Sequence, residues 1–253
     1  MHDQAVELAP ATEVEDEFRY VGTELEVFHY AKNWKHYYRR HMRDFIGDEV
    51  LEIGAGIGGT CVVLCEPGKK RWVCIEPDTS QANQIREKIA DERLPACCEV
   101  KPLHTAELSP GEMFDSIIYI DVLEHIENDV EEIGFAFRHL RPGGHLIVLS
   151  PAHQFLYSPF DAAVAHFRRY NKETLSAAVT NYDLECVKLI YLDSVGCLIS
   201  LGNKLLLRST TPTWGQMKFW DRGIVPVSSF VDRFFGYRLG KSILGVWRRT
   251  EVV

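Results

Sequence analysis

The stretch VLEIGAGIGGT, residues 50–60, runs four residues of buried-strand character, with Glu52 among them, straight into four closely spaced glycines. Residues 50–53 read as a strand and 58–65 as the helix that follows it. Gly54, Gly56 and Gly59 satisfy the spacing G-x-G-x-x-G, and Glu76 closes a second apolar run about 20 residues on. Glycines let a ligand approach the backbone, and a carboxylate such as Glu76 accepts hydrogen bonds from both hydroxyls of a ribose. A dinucleotide would suit that much. Glu52 discriminates, because a carboxylate in the loop strand repels a pyrophosphate but tolerates the sulfonium and ammonium of S-adenosylmethionine.

Outward from this stretch, strands and helices alternate. Strands are expected at 71–75, 98–101, 114–120 (FDSIIYI) and 145–150 (HLIVLS), with helices at 78–91 and 128–140 and RPGG as a tight helix exit. Such alternation gives a doubly wound sheet whose ligand lies outside the carboxyl ends of its strands. Residues 24–45 carry Phe28, Tyr30, Trp34, Tyr37 and Tyr38 at helical intervals and read as helices across the sheet edge. Residues 183–193 and 242–248 read as a closing antiparallel pair, separated by the apolar and aromatic stretch 195–235.

The 253 residues, 46% hydrophobic and 25% charged, suffice for one α/β domain, and the formal net charge of -8 argues against a nucleic-acid partner. A small or lipophilic substrate fits better. Residues 1–23 begin MHDQAVELAPATEVEDEF, acidic and without a basic segment before an apolar one, and are expected to be a flexible tail rather than a targeting signal. Seven cysteines form no CxxC pair and read as buried thiols of a reducing, cytoplasmic compartment. Cys61 and Cys65, four apart, can share a helix face, but without a nearby second ligand pair they read as buried thiols rather than a metal site, and adjacent Cys97 and Cys98 would point to opposite faces of a strand and not form one site. The run VGCLISLGNKLLL is too short and interrupted to span a bilayer. With its neighbouring aromatics, it fits an extra helical subdomain, a peripheral membrane contact or a homodimer interface, a monomer being the alternative. The basic run KNWKHYYRRHMR reads as a solvated helix face or a contact for phosphate groups.

EIGAG resembles the first motif of the class I S-adenosylmethionine-dependent methyltransferases. The resemblance continues in order through Glu76 in CIEPD, Asp121 in IYIDVLEHI and LRPGG before the fifth strand. It implies an α/β, Rossmann-like, doubly wound and mostly parallel seven-stranded sheet with an antiparallel C-terminal strand. It also implies an N-terminal helical lid (24–48), a cofactor-binding core (49–150) and substrate-side elements (151–253) that include a helical insertion before the last strand. Residue by residue, it places Gly54 and Gly56 at the methionine end of S-adenosylmethionine, Glu52 at its amino group, and Glu76 with neighbouring Pro77 at the ribose. Thr105 and Ala106 flank the adenine, and Asp121 faces the reacting methyl. Glu52 has a structural hydrogen bond, Gly59 helix packing and Thr105 the capping of a turn as alternatives.

DVLEHI, residues 121–126, resembles the E-V-x-E-H segment of ubiquinone-biosynthesis O-methyltransferases and small-RNA 2′-O-methyltransferases, and HFRRYNKETL resembles a later segment of the same families. By that resemblance Asp121, Glu124, His125 and His166 would hold a divalent metal such as Mg2+. Otherwise His125 or His166 serves as a general base, or Glu124 and His125 only cap the next helix and bond the LRPGG loop. The span from Ser150 to Leu175 resembles a bacterial methyltransferase group with the pattern PAH...HxRRY. This makes His153, Asp161 and His166 candidates to converge over the active site. Arg168, Arg169 and Tyr170 are then candidates for substrate contact, or Arg168 for a lock on Asp161. The same group implies that Asn33 and Trp34 cover the cofactor, with Tyr30 and Tyr37 as further lid candidates.

The resulting expectation is O-methylation of a small or lipophilic metabolite. An N- or C-methyltransferase, a nicotinamide-dependent oxidoreductase and a cofactor-binding protein without methyl transfer are the alternatives.

Overall fold

The computed structural model describes residues 28–206 and 213–250. The acidic tail expected at 1–23 lies outside the described residues. In chain order the elements are α1 (Lys32–Met42), β1 (Glu49–Ile53), α2 (Cys61–Leu64), β2 (Arg71–Ile75), α3 (Thr79–Ala90), β3 (Cys98–Lys101), β4 (Phe114–Ile120), α4 (Asp129–His139) and β5 (Leu140–Pro151). They are followed by α5 (Pro159–Ala163), α6 (Lys172–Val179), β6 (Leu184–Leu192), α7 (Ser194–Leu206), α8 (Trp214–Phe219), α9 (Val225–Phe234) and β7 (Ser242–Arg249). A π-helical turn, Trp220–Ile224, joins α8 to α9.

The seven strands form one sheet in the order β3-β2-β1-β4-β5-β7-β6. Only β7 runs against its neighbours, pairing antiparallel with both β5 and β6. The chain leaves the β3 edge and returns beside β1 as β4, with Ile53 opposite Tyr119. The carboxyl ends of β1 and β4 therefore open a crevice at the switch point, where such sheets take ligands. The sheet is covered on both faces. Trp72, Cys74 and Ile118 pack into one core, and Val73, Ile117 and Tyr119 into the other. Alternate residues of continuous apolar strands thus serve two layers.

Local chemistry sets the helix ends. Asp78 accepts the amides of Ser80 and Gln81 to start α3, and Asn128 accepts the Glu131 amide to start α4. Two expected elements differ. The helix predicted over 58–65 shrinks to Cys61–Leu64, because Gly54, Gly56 and Gly58 take positive φ angles of 65°, 55° and 74° and hold the preceding residues in turns. RPGG is not simply a helix exit but lies within β5. There the pairing jumps from Phe114–Leu140 to Ser116–His145, so the loop bulges out of a strand that began earlier.

The N-terminal helix and the insertion clasp each other through buried acids. Asp221 accepts the Trp34 amide (2.9 Å) and the Asn33 side-chain amide (3.2 Å). Asp232 accepts the Tyr37 hydroxyl (2.6 Å) and the amides of Asp193 and Ser194 (2.8 and 3.1 Å). Asp193 in turn accepts the Trp220 indole N–H (2.7 Å). Among the described residues no helix is long and apolar enough to cross a membrane.

Candidate active site

A cavity of about 220 Å³ lies over the crevice, between the glycine loop and the roof formed by α1 and the π-helical turn. Its floor is Gly54, Ala55, Gly56, Gly59 and Thr60, and Trp34, Tyr38 and Trp220 cover it. The loop needs glycine sterically at Gly54, where a Cβ would sit 2.6 Å from a Val122 methyl at a φ of 65°; at Gly59 a Cβ would meet Lys35 Nζ at 2.7 Å, the movable end of a long side chain.

Beneath the loop, Glu52 is 2% exposed and its Oε2 accepts the Trp72 indole N–H (2.7 Å). Burial pushes its carboxyl up to about 7. Glu76 receives the Gly56 amide on Oε2 (2.7 Å) and the Asp78 amide on Oε1 (2.9 Å). It therefore braces the glycine loop from below. Burial raises its pKa against those two amides. Lys35 comes from the roof helix, with Nζ donating to the Gly59 carbonyl (2.8 Å), and burial lowers it to about 8.

The opposite wall is assembled from β4's end and the chain after β5. Asp121 has a φ of 53° and stands open to the cavity. The protein around it pushes its carboxyl up to about 6, opposed by His166, Lys241 and Arg169. Glu124 is buried. Its Oε2 accepts the Ser150 hydroxyl (2.8 Å), whereas Oε1 has no hydrogen-bond partner and lies 3.9 Å from His166 Nε2. Burial raises Glu124 well above the usual carboxylate range. The rings of His125 and His166 meet edge to face at 4.4 Å. Burial and His166 lower His125 to about 4, so its imidazole is neutral, and it bonds the Val164 backbone.

Asp161 organises this wall. It accepts His166 Nδ1 (2.9 Å), Arg169 Nε (2.8 Å) and Nη2 (3.0 Å), and the Ser158 amide and hydroxyl (2.8 Å each). These donors hold its carboxyl well below the ordinary value despite burial. The expected lock on Asp161 is thus made by Arg169, not Arg168. Arg168 turns the other way, to Asp129 (2.8 Å) and the Glu127 carbonyl (2.6 Å), because adjacent side chains leave extended backbone on opposite sides. Tyr170 also bonds Asp129 (2.7 Å) and is structural.

Of the residues anticipated from sequence, Trp34, Gly54, Gly56, Asp121, Glu124, His125 and His166 line this one cavity, and Asn33, Glu52, Glu76, Pro77, Thr105, Ala106 and His153 do not. Asn33 is engaged by Asp221. Thr105 is buried and opens a short helix capped by His104 rather than capping it. His153, at a φ of 64°, stacks on Phe155 (5.0 Å) and Tyr191 (4.5 Å) instead of joining Asp161 and His166. Tyr30 is exposed against Trp214, and Tyr37 is buried on Asp232, so neither forms the roof. Glu124 does not bond LRPGG, and Asn128 rather than Glu124 or His125 caps α4. The basic run at 32–43 is not wholly a solvated face, since Lys35 is buried in it. Lys35 and Lys241, both lining the cavity, carried no sequence signal beyond that basic run and a lysine just before the last strand.

The donor atoms of Glu124, His125 and His166 lie within 4.8 Å of one another and could hold a metal ion; Asp121 is not in the set. The fit is chemical as well as spatial. The unpartnered Glu124 Oε1 is a buried acceptor, and His166 is oriented through its other nitrogen by a carboxylate. Two imidazoles and one carboxylate suit a first-row transition ion better than Mg2+.

A switch-point crevice floored by glycines, with acids at the ends of β1, β2 and β4, defines an adenosyl-cofactor fold, and the chain belongs to the class I S-adenosylmethionine-dependent methyltransferase family. A family model described as a methyltransferase domain matches residues 25–189. Among curated proteins, the chain is 28% identical over 103 residues to the ubiquinone biosynthesis O-methyltransferase of Bradyrhizobium sp. (strain ORS 278), covering 40% of this chain and 39% of that one. It is also 28% identical over 110 residues to the tRNA U34 carboxymethyltransferase of Shewanella amazonensis (strain ATCC BAA-1098 / SB2B), covering 43% and 33%. The matched segments thus span well under half the length of either relative. Among solved structures, the [4+2]-cyclase SpnF aligns with a TM-score of 0.61 at 14% identity over 87% of this chain and 80% of that one, a likeness of fold.

Proposed function

We propose that the protein transfers the methyl group of S-adenosylmethionine to an oxygen of a small or lipophilic metabolite, with His166 as the proton acceptor. The observation that carries this reading is the Asp161–His166 pair facing the glycine loop across one cavity. The Asp161 carboxylate accepts a hydrogen bond from Nδ1–H and so leaves Nε2, on the Glu124 side, as the basic nitrogen. Burial holds His125 down to about 4, which makes it a poor proton acceptor near neutral pH.

Methyl transfer needs an in-line approach and exclusion of water more than covalent help from the protein. Gly54 and Gly56 let the methionine end lie against backbone, Lys35 offers a cation to its carboxylate, and Glu76 extends the loop toward the ribose. Trp34 and Trp220 close the roof over the sulfonium. Asp121, Arg169 and Lys241 orient the acceptor. A cation bound by Glu124, His125 and His166 would instead lower the pKa of an acceptor hydroxyl with His166 Nε2 as a ligand, so metal assistance and a His166 base are alternative routes to the same deprotonation. The net charge of -8 supports a small acceptor over a nucleic acid. The exposed Phe219, Phe230, Phe234 and Phe235 of the insertion support a lipophilic one, met at a membrane surface.

Calorimetric titration with S-adenosylhomocysteine, with and without chelator, tests the reading. Micromolar binding is expected. Absence of binding in both conditions, with NADH binding instead, would overturn it in favour of an oxidoreductase.

A further inference from the structure

Outside the active site, the described residues include a knot of cysteines behind the glycine loop. Cys61 and Cys65 come from α2 and the residue that ends it, and Cys97 and Cys98 from the turn into β3 and its first residue. Cys61 Sγ lies 3.4 Å from Cys98 Sγ, Cys65 Sγ 3.7 Å from Cys98 Sγ, and Cys65 Sγ 3.6 Å from Cys97 Sγ. The sulfurs of Cys61, Cys65 and Cys98 all lie within 4.8 Å of one another; Cys97 is not in that set and reaches it through Cys65. Strand alternation predicted that Cys97 and Cys98 would diverge. They do not, because Cys97 is still in the turn and only Cys98 is extended.

A cysteine used as a small hydrophobe packs against carbon. Here sulfurs from two separate elements pack against one another. The spacing is that of a metal polyhedron. A tetrahedral zinc with Zn–S bonds of about 2.3 Å has sulfur-to-sulfur edges of about 3.8 Å, close to the three separations. The three core thiols are buried and free, and Cys97 is half-buried. The helix between them has four residues, too few to be stable by its own hydrogen bonds, so a cross-link to β3 has a structural task.

We propose that Cys61, Cys65 and Cys98, completed by Cys97, form a structural zinc site that fastens the helix after the glycine loop to the third strand. Binding replaces four S–H bonds with four Zn–S bonds, four protons leave to solvent, and no electron is transferred. Because Thr60, directly before Cys61, lines the cofactor cavity, the ion fixes the far side of the loop that S-adenosylmethionine would contact.

The full chain, stripped with chelator under reducing conditions, would be titrated with Zn2+ and, separately, with Co2+. The expected result is one tightly held zinc per chain. Cobalt should give intense tetrahedral visible bands together with sulfur-to-metal charge transfer in the near ultraviolet. These bands should persist in His166→Ala, which disables the nitrogen- and oxygen-donor site, and vanish in Cys61→Ser/Cys98→Ser. Exposed Cys186 provides the control substitution. Should the double variant fail to fold, thiol labelling of the unaltered chain decides: zinc is expected to protect four of the seven cysteines. Sulfur-free cobalt spectra, or labelling indifferent to zinc, would overturn the site.

Discussion

The two walls of the cavity are built by different means. The glycine wall is mainly backbone: amides and carbonyls of 54–60 placed by positive φ angles, with Glu76 bracing them through Gly56 and Asp78. The facing wall is side chain on side chain: Asp161 with His166 and Arg169, and Glu124 with Ser150. Backbone walls tolerate loss of one side chain, because their geometry is shared among many residues. A wall that converges on one carboxylate does not.

The largest test of that contrast is Asp161→Ala. It leaves the buried Arg169 guanidinium unpaired, so about 3–5 kcal/mol of stability should be lost in denaturant unfolding. A loss under 1 kcal/mol would mean that the wall does not depend on this carboxylate. Next comes His166→Ala, which should lower turnover about 10²- to 10⁴-fold while S-adenosylhomocysteine affinity stays nearly unchanged. Equal losses in both would erase the division between walls.

Glu52→Gln probes the glycine side through pH. The folded pKa of Glu52, about 7, exceeds its ordinary value of 4.5, so the native state binds more protons in that window and stability falls as pH rises through it. The substitution should remove up to about 3 kcal/mol of that fall, read as flatter melting temperatures between those pH values. An unchanged pH profile would assign the fall elsewhere. The smallest effect is expected from Glu76→Ala, which should weaken S-adenosylhomocysteine by about 1 to 3 kcal/mol in calorimetry while the chain stays folded. Unfolding would show that the glycine wall is as dependent on one residue as its opposite.

The same contrast explains what could be read from the sequence. The sheet was legible because strand apolarity, the glycine spacing and the acid at the end of β2 are local signals, each decided within about ten residues. The expectation of one antiparallel strand at the end also agrees with the sheet. The facing wall was legible only in its residue types. Asp161, Arg169 and His166 were all visible, but the choice between Arg168 and Arg169 depends on which side of the chain Asp161 lies. His153 looked equivalent to His166 until the positive φ at its own position turned it toward Tyr191. Lys35 and Lys241 were hidden because their roles depend on elements far away in the chain. The neighbourhood of Cys97 was not legible, because it lies in the turn before β3, where strand alternation does not apply.

The clasp between the N-terminal helix and the insertion has a mechanical consequence. Asp221 ties the two segments across 187 positions of sequence, and Trp34 and Trp220, which both cover the cavity, sit 5.6 Å apart on either side of that tie. The roof is therefore one tied unit rather than two independent flaps. Parting one leaf from the other would strand a buried carboxylate, so a change that loosens the insertion at its exposed aromatic face is expected to loosen the cover of the cavity as well.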